Sequence, residues 1–385
     1  MILTVNAGSS SLKITLYQVN PLTVVLSRSV SSLSEFTQSI DPGCPITHIC
    51  HRIVHGGNYT QPAVIINNQS YHYIQAFSDL APLHNGPALS IIKTCISDFP
   101  NAISIAYFDT SFHRFIPPHI ANYPIDQSIA RQRGLKKYGF HGISYAFILR
   151  SVSHFLQKQP SDLNLIALHL GSGASACAIQ NGQSLDTSMG LTPLNGLPGA
   201  TRSGAIDPSL IFHYTNKAGR ISHDPNLATN LHVTEAEDIL NCKSGWKALT
   251  GTTDFRLITE RAQLSSPSSD SPDRLAFDLF VDRILNYVGS YYLKLGGAVD
   301  ALVFAGMIGE KSKELREAVA RHVVCLGFVE LDQGKNVGVD GVEGTVVDVG
   351  VQGDQKQKRL LVCRTDEQFE MASACVSDDA FWKEI

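Results

Sequence analysis

The chain predicts an α/β protein built as two lobes, and three features carry that expectation. Its 385 residues exceed the size at which a single hydrophobic core stops growing, so two domains are the default. Short apolar runs of strand length alternate with longer stretches of helical period, the pattern of sheets covered by helices. A strand–turn–strand unit with a Gly/Ser turn also occurs twice, as VNAGSSSLK at 5–13 and as HLGSGAS at 169–175.

The first lobe opens with strands expected at 2–6 and 12–17 around the first Gly/Ser turn. ITHICHRIV at 46–54 is a further strand and ends at His55-Gly56-Gly57. Residues 86–98 have helical period, with Leu89, Ile92 and Ile96 on one side. ISIAYF at 103–108 is a strand running straight into Asp109, and a helix is expected over about 144–157. A boundary falls at QKQPSD, 157–162, before the strand NLIALHL and the short strand ACAIQ.

In the second lobe, residues 187–208 carry several Gly and Pro and predict an ordered irregular loop. Thr234 and Glu237 have capping-box spacing. A long helix over about 272–294 starts with Pro272 in its first turn, and Leu275, Leu279, Val281, Ile284, Leu285 and Val288 are its expected buried side. VDALVFA is a strand, 306–309 a Gly turn, and KELREAV a helix. The Gly-rich 332–345 reads as loop, 358–364 as strand and 367–382 as a closing helix.

Composition removes several function classes. Apolar residues make up 43% of the chain, ample for two cores. Thirty-one Lys and Arg against 35 Asp and Glu give a net charge of −4, which does not suggest nucleic-acid or membrane-surface binding. A cleft with a few basic residues still accepts an anionic substrate. Eight Cys form no CxxC pair, so free thiols in a reducing compartment are expected. The N-terminus carries no secretory pattern and no apolar run reaches membrane length. A cytoplasmic protein is expected.

Small residues let a backbone approach an anion and aim successive N–H groups at it. Ser9, Ser10 and Ser11 add hydroxyls and Lys13 a point charge, although an ordinary hairpin turn explains the same residues. Neither the GxxxxGK[ST] nor the strand–GxGxxG–helix pattern is present. Arg52 ends an apolar strand and Arg202 lies in GATRSG. Two guanidinium forks suit one carboxylate and one phosphoryl group, while each alone also reads as a structural Arg. Asp109 sits where a strand ends, a position for function or for a helix cap. His84, His141 and His169 are core or site residues, with no zinc spacing among them. A phosphoryl-transfer pocket accounts for the set, with Glu367, Asn6 and Asp109 available to a Mg²⁺ partly held by phosphate.

These stretches, with HRIVHGG at 51–57, LAPLHNGPAL at 80–89, FDTSFH at 108–113, YGFHG at 138–142, DTSMGLTPLNGL at 186–197 and TRSGAIDP at 201–208, resemble the acetate and propionate kinase family over nearly the whole chain. GLPGATRSG and LNCKSGWKALTGTTDF look most like the fungal members. The resemblance implies the actin-like, sugar kinase and Hsp70 superfold with a duplicated ββαβαβα-type core. It implies a first lobe over 1–156 joined by a closing helix over 368–385, and a nucleotide-binding second lobe over 157–367.

The same resemblance implies reversible transfer between ATP and acetate, giving acetyl phosphate and ADP, with Mg²⁺ or Mn²⁺ in its place, in acetyl-CoA metabolism. Arg52 and Arg202 match the arginines at the reacting groups, Asp109 the acidic positioning residue, and His141 the donor to the phosphoryl group in flight. Asn6 and Glu367 match groups around the metal, and His84 and His169 further cleft histidines. Val54, Leu83, Phe140 and Pro193 match a pocket for the acetate methyl. Ser9, Ser11, Lys13, His169, Gly171, Ser172 and Gly173 match phosphate loops. Asp254, Phe255, Arg256, Gly306, Met307, Ile308 and Gly309 match the adenosine surroundings. Ser172 and Met307 depart from the family's usual Asn and Gly, which leaves pyrophosphate as an alternative donor and propionate as an alternative acceptor. A non-catalytic nucleotide-binding scaffold is the reading from another class. A homodimer, paired through the second lobe, is also implied.

Overall fold

A computed structural model describes the chain except at residues 8–11, 42, 60, 77–81, 215–233, 267–269, 353–356 and 383–385, and the side chains of 82–84. The chain divides into two compact units. The first comprises Met1–Arg114, His141–Phe147 and Asp366–Ile385; the second comprises Phe115–Phe140 and Ile148–Thr365. The division falls elsewhere than at 157, since 115–140 and 148–156 count with the second unit.

In the first unit the strands are β1 (Ile2–Ala7), β2 (Leu12–Gln18), β3 (Thr23–Val30), β4 (His48–Ile53), β5 (Ala63–Ile65) and β6 (Ile103–Phe108). They form one sheet in the order β3-β2-β1-β4-β6-β5. The pairs β1·β4 and β4·β6 are parallel; the outer pairs are antiparallel. Parallel strands carry helices on both faces and therefore read as continuous apolar runs. Helix α1 (Pro82–Asp98) packs Leu89 and Ile92 with Ile53, Ala106 and Phe108. The alternate residues Ile105 and Tyr107 join Ile2 and Cys50 in a cluster with Met371, Ala372 and Cys375.

The second sheet is built from β7 (Leu165–Leu170), β8 (Ala174–Gln180), β9 (Gln183–Thr187), β10 (Ala301–Ala305), β11 (Val346–Asp348) and β12 (Arg359–Cys363). Its order, β9-β8-β7-β10-β12-β11, is the first order with six added to each number, and the parallel and antiparallel senses repeat as well. The Gly171–Gly173 turn follows β7, and its sequence counterpart at 8–11 lies outside the described residues. The matching strand orders show a duplicated ββαβαβα topology.

Several sequence expectations need correction. The meanders β3 and β9 extend the two hairpins but lack a long alternating pattern, and β5 has only three residues. Helix α2 runs over Gly142–Leu156 and the long helix α3 over Pro272–Lys294, the latter capped by Ser271. The buried stripe of α3 is Ala276, Phe277, Phe280, Val281, Ile284, Val288 and Tyr291, and Leu275 faces outward at 55% exposure. Aromatic volume, not leucine count, sets its phase, because Phe280 packs against Trp246 and Phe255. Ile96 is likewise exposed, with Cys95 turned inward in its place.

The supposed turn at 306–309 is the first part of a short helix, α4 (Gly306–Lys311), followed by α5 (Lys313–Val323). The supposed loop at 332–345 contains a helical segment at Gln333–Gly338 and a 3₁₀ turn at Val339–Gly341. The closing helix α6 ends at Ser377, where Asp378 caps a separate 3₁₀ turn. The capping box at Thr234 and Glu237 forms as expected. Among the described residues no disulfide forms: Cys50, Cys95, Cys177, Cys363 and Cys375 are buried, Cys44 and Cys242 half-buried and Cys325 exposed. No helix is long and apolar enough to cross a membrane among the described residues.

Candidate active site

In the first unit three parallel strands deliver polar side chains at their carboxyl ends, the place where open α/β sheets put functional groups. β1 brings Asn6, β4 brings Arg52, and Asp109 follows β6. Arg52 donates through Nε (3.1 Å) and Nη2 (2.7 Å) to Asp109 Oδ2, and through Nη1 to Asn6 Oδ1 at 3.1 Å. Its Nη1 also lies 3.3 Å from Glu367 Oε2. Asn6 Nδ2 donates to that same oxygen at 2.9 Å. Glu367 opens α6, with Asp366 as its N-cap. One guanidinium therefore stands between two carboxylates, and the triad carries an excess negative charge.

Asp109 is fully buried, and its Oδ1 makes no side-chain hydrogen bond. Burial pushes its carboxyl up to about 6; Arg52 opposes the rise and Glu367 adds to it. Burial alone would lower Arg52, but Asp109 and Glu367 outweigh it and raise its proton affinity, so the guanidinium stays charged. The carboxyl that is raised on folding contributes stability fully present below its unfolded value of about 3.9, and that contribution is lost as pH rises through about 6. The functional consequence has the opposite sense. Only the ionised carboxylate anchors Arg52, so any activity that depends on Arg52 is expected to fall as pH drops through about 6. Because Asp109 and Glu367 interact, the step belongs to the pair. A pH–rate profile tests this, and a flat profile down to pH about 5 would remove the carboxylate from the reaction.

Sequence reasoning missed Ser144. It is fully buried on α2 and donates to Glu367 Oε1 at 2.6 Å, fixing one oxygen so that the other faces Asn6 and Arg52. A serine inside an apolar helix gave no signal. The preceding His141-Gly142 pair is set by backbone geometry. His141 has φ 58°, a region costly for residues with a Cβ. Gly142 donates its N–H to Asp109 O at 3.0 Å, and a Cβ on it would lie 2.0 Å from that oxygen. Only glycine allows this approach, which places His141 one residue from a direct contact with the Asp109 backbone. Val54, half-buried, follows β4, and exposed Lys13 pairs across from Asn6 on β2. Ser9 and Ser11 lie outside the described residues, as do the side chains of Leu83 and His84.

In the second unit Gly171, Ser172 and Gly173 form the turn after β7, and His169 sits near the strand's end opposite Ser175. The Arg202 guanidinium lies on this turn: a Cβ on Gly173 would stand 2.4 Å from its Nη2. Arg202 Nη1 donates to Pro193 O at 3.1 Å. Ala200 N donates to Ser172 O, tying the two loops together, and Gly199 N donates to Arg202 O within the second. Phe140 is 1% exposed and Pro193 is buried, so their contribution to a methyl pocket is at most one face.

The nucleotide candidates divide by their surroundings. Asp254 is the N-cap of the helix Phe255–Leu264, accepting from Arg256 N and Leu257 N. Phe255 is spent in the core and Arg256 pairs with Glu260 at 3.0 Å on the surface. Gly306, Met307, Ile308 and Gly309 lie together on α4 after β10, with Met307 67% exposed. Arg316 of α5, also missed from sequence, pins this segment. Fully buried, it donates to Gly309 O, Glu310 O and both oxygens of Asn336. Burial lowers its proton affinity to about 10.

A model of the Acetokinase family matches residues 23–373. A probable acetate kinase of Emericella nidulans is 48% identical, with 100% of this chain and 99% of that protein covered. One from Neurospora crassa is also 48% identical, over 100% and 95%. Among solved structures, a propionate kinase from Francisella tularensis superposes with a TM-score of 0.81 at 31% identity, covering 96% and 97%. An acetate kinase from Porphyromonas gingivalis gives 0.80 at 27% identity, covering 99% of each chain. With its duplicated fold, and with Asn6, Arg52 and Asp109 brought together at the strand ends, the chain belongs to the Acetokinase family and is a phosphotransferase that uses MgATP to phosphorylate a carboxylate.

Proposed function

We propose that the acceptor is acetate, phosphorylated reversibly to acetyl phosphate by direct in-line transfer from ATP. The observation that carries this reading is the Arg52 fork, held on Asp109 at 2.7 and 3.1 Å with Nη1 turned to Asn6 and Glu367. Asp109 takes the Nε–Nη2 edge and so fixes the guanidinium plane, and the remaining N–H groups at the Nη1–Nη2 end are the charged donors for an acceptor carboxylate. Acetate needs no deprotonation near neutral pH, so the chain needs alignment and charge stabilisation more than a general base. Arg52 orients the acceptor, Asp109 holds Arg52, and His141 and Arg202 donate to the equatorial oxygens of the transferring group. Direct transfer requires no phosphorylated histidine.

Asn6 and Glu367 would hold Mg²⁺, with Ser144 setting the Glu367 rotamer. Among the described residues no group of three or more His, Cys, Asp or Glu could hold a metal. Two hard oxygen donors nevertheless fit an ion that keeps waters and takes the rest of its shell from phosphate. When bound, Mg²⁺ neutralises charge on the phosphate oxygens. ATP is read against Gly171–Gly173 and the segment Gly306–Gly309. A homodimer is read from the resemblance alone, and light scattering on the purified chain tests it.

The experiment is to incubate enzyme, MgATP and acetate with hydroxylamine and measure acetyl hydroxamate. Propionate replaces acetate in one arm, and pyrophosphate or GTP replaces ATP in others. Hydroxamate from acetate with ATP as preferred donor supports the reading; preference for propionate or pyrophosphate overturns that part of it. Met307→Gly is expected to move the apparent KM for ATP more than that for acetate, and equal movement of both would remove Met307 from the nucleotide's surroundings.

A further inference from the structure

The second unit contains a cavity of about 400 Å³ lined by His119, Ile120, Lys137, Leu185 and Lys294. None of the residues assigned above to acceptor, phosphate or nucleotide lines it. The three basic residues come from separate parts of the unit: His119 from the turn of helix Pro118–Ala121, Lys137 from the segment after Gly134, and Lys294 from the last turn of α3. Lys137 N donates to Ala121 O at 2.7 Å, which holds the first two parts side by side.

Beneath the lysines lies one carboxylate. Lys137 Nζ donates to Asp186 Oδ1 at 2.6 Å, and Lys294 Nζ donates to Oδ2. The Asp186 side chain is 4% exposed, and Thr187 N donates to its Oδ1 at 2.7 Å, so it cannot swing outward to answer further charge. Among the described residues these two ammonium groups thus share a single carboxylate, two positive charges against one negative. Each ammonium has three donors, of which the carboxylate uses one. Two like charges kept this close, partly out of water, repel unless an anion joins them. His119 adds a further donor at the same cavity, while Ile120 and Leu185 supply apolar wall.

We propose that this cavity binds a phosphate group, free or carried by a small organic molecule. Point-charge donors from three separate segments suit a tetrahedral anion better than a planar carboxylate, which prefers the parallel fork of an arginine. The volume is within the range of small-ligand sites. Asp186 serves as the positioning residue, holding both ammonium groups at the cavity while leaving their outer donors available.

The test uses the full chain with ¹³C-labelled histidine, titrated with inorganic phosphate at ionic strength held constant by NaCl. The His119 ring resonance is assigned by its loss in His119→Gln. It is expected to move saturably with phosphate, and Lys294→Met is expected to raise the half-saturating concentration by about tenfold or more, the effect of losing one charged hydrogen-bond donor. Lys294→Met keeps MgATP-dependent turnover, which shows that the variant folds; if it does not, Lys294→Gln takes its place. Absence of saturable movement, or an unchanged midpoint in the folded variant, overturns the site. Malonate acting at the same concentration as phosphate overturns the assignment of a tetrahedral anion. A phosphate monoester such as glycerol phosphate, compared with inorganic phosphate, shows whether the apolar wall receives a carbon body.

Discussion

Replacing Arg52 by alanine is expected to lower kcat for acetate phosphorylation by about a thousandfold, the scale of losing a preorganised charge donor. It should also destabilise the first unit. Arg52 is the counter-charge of fully buried Asp109 and of Glu367, and removing one member of a buried pair costs about 3–5 kcal/mol. The loss should fall at the low end, because Asp109 already sits at about 6 and escapes part of the penalty by taking a proton. Arg52→Lys separates the two effects. The ammonium restores charge and most of the stability, yet it cannot reproduce the paired Nε and Nη2 contacts to one oxygen. Thermal unfolding and initial rates on both variants check this. A lysine variant with near-normal kcat would show that charge alone, without the fork, is enough.

Arg202→Ala is expected to cost a similar factor of about a thousand in kcat, the range of an arginine serving the transferring phosphoryl group, with the fold left intact. Its half-buried guanidinium lies on the backbone of Gly173 and donates to Pro193 O. Losing a bond to a backbone oxygen costs less than stranding a buried carboxylate, so the stability change is expected to be smaller than for Arg52→Ala. Unfolding curves together with kcat and KM for both substrates make the comparison. Near-normal turnover would take Arg202 out of the reaction, whereas a large loss of stability would make it a structural residue.

The charge balance around these two arginines is invisible in the sequence, where Arg52 reads as the end of an apolar strand and Arg202 as a residue of a Gly-rich loop. What sets Arg52 apart is its pair of carboxylate neighbours. Arg52 stands at a parallel strand's end beneath two carboxylates, one of them 57 residues and the other 315 residues away along the chain. No local pattern contains that information. Ser144 was missed for the same reason, since its partner is 223 residues distant. In the sequence, glycines at 306 and 309 mimic a turn, and only packing against β7 and β10 shows that they open the helix α4. Leu275 and Ile96 were assigned inward by apolar character, but each helix chose its inner face by where Phe280 and Ile92 fit.

Local chemistry was legible wherever a signal closes within a few residues. The capping box at Thr234, the proline opening α3, the apolar run of β6 and the Gly/Ser turn after β7 all depend on neighbours, and all appeared in place. Motif wording then gave the family. The duplicated strand order, the excess negative charge around Arg52 and the Lys137–Asp186–Lys294 cluster needed the tertiary structure, because charge balance and burial are set by groups that meet only after distant segments pack. Sequence determined which groups this protein owns; folding decided which of them share a dielectric and a counter-charge, and that decides their chemistry.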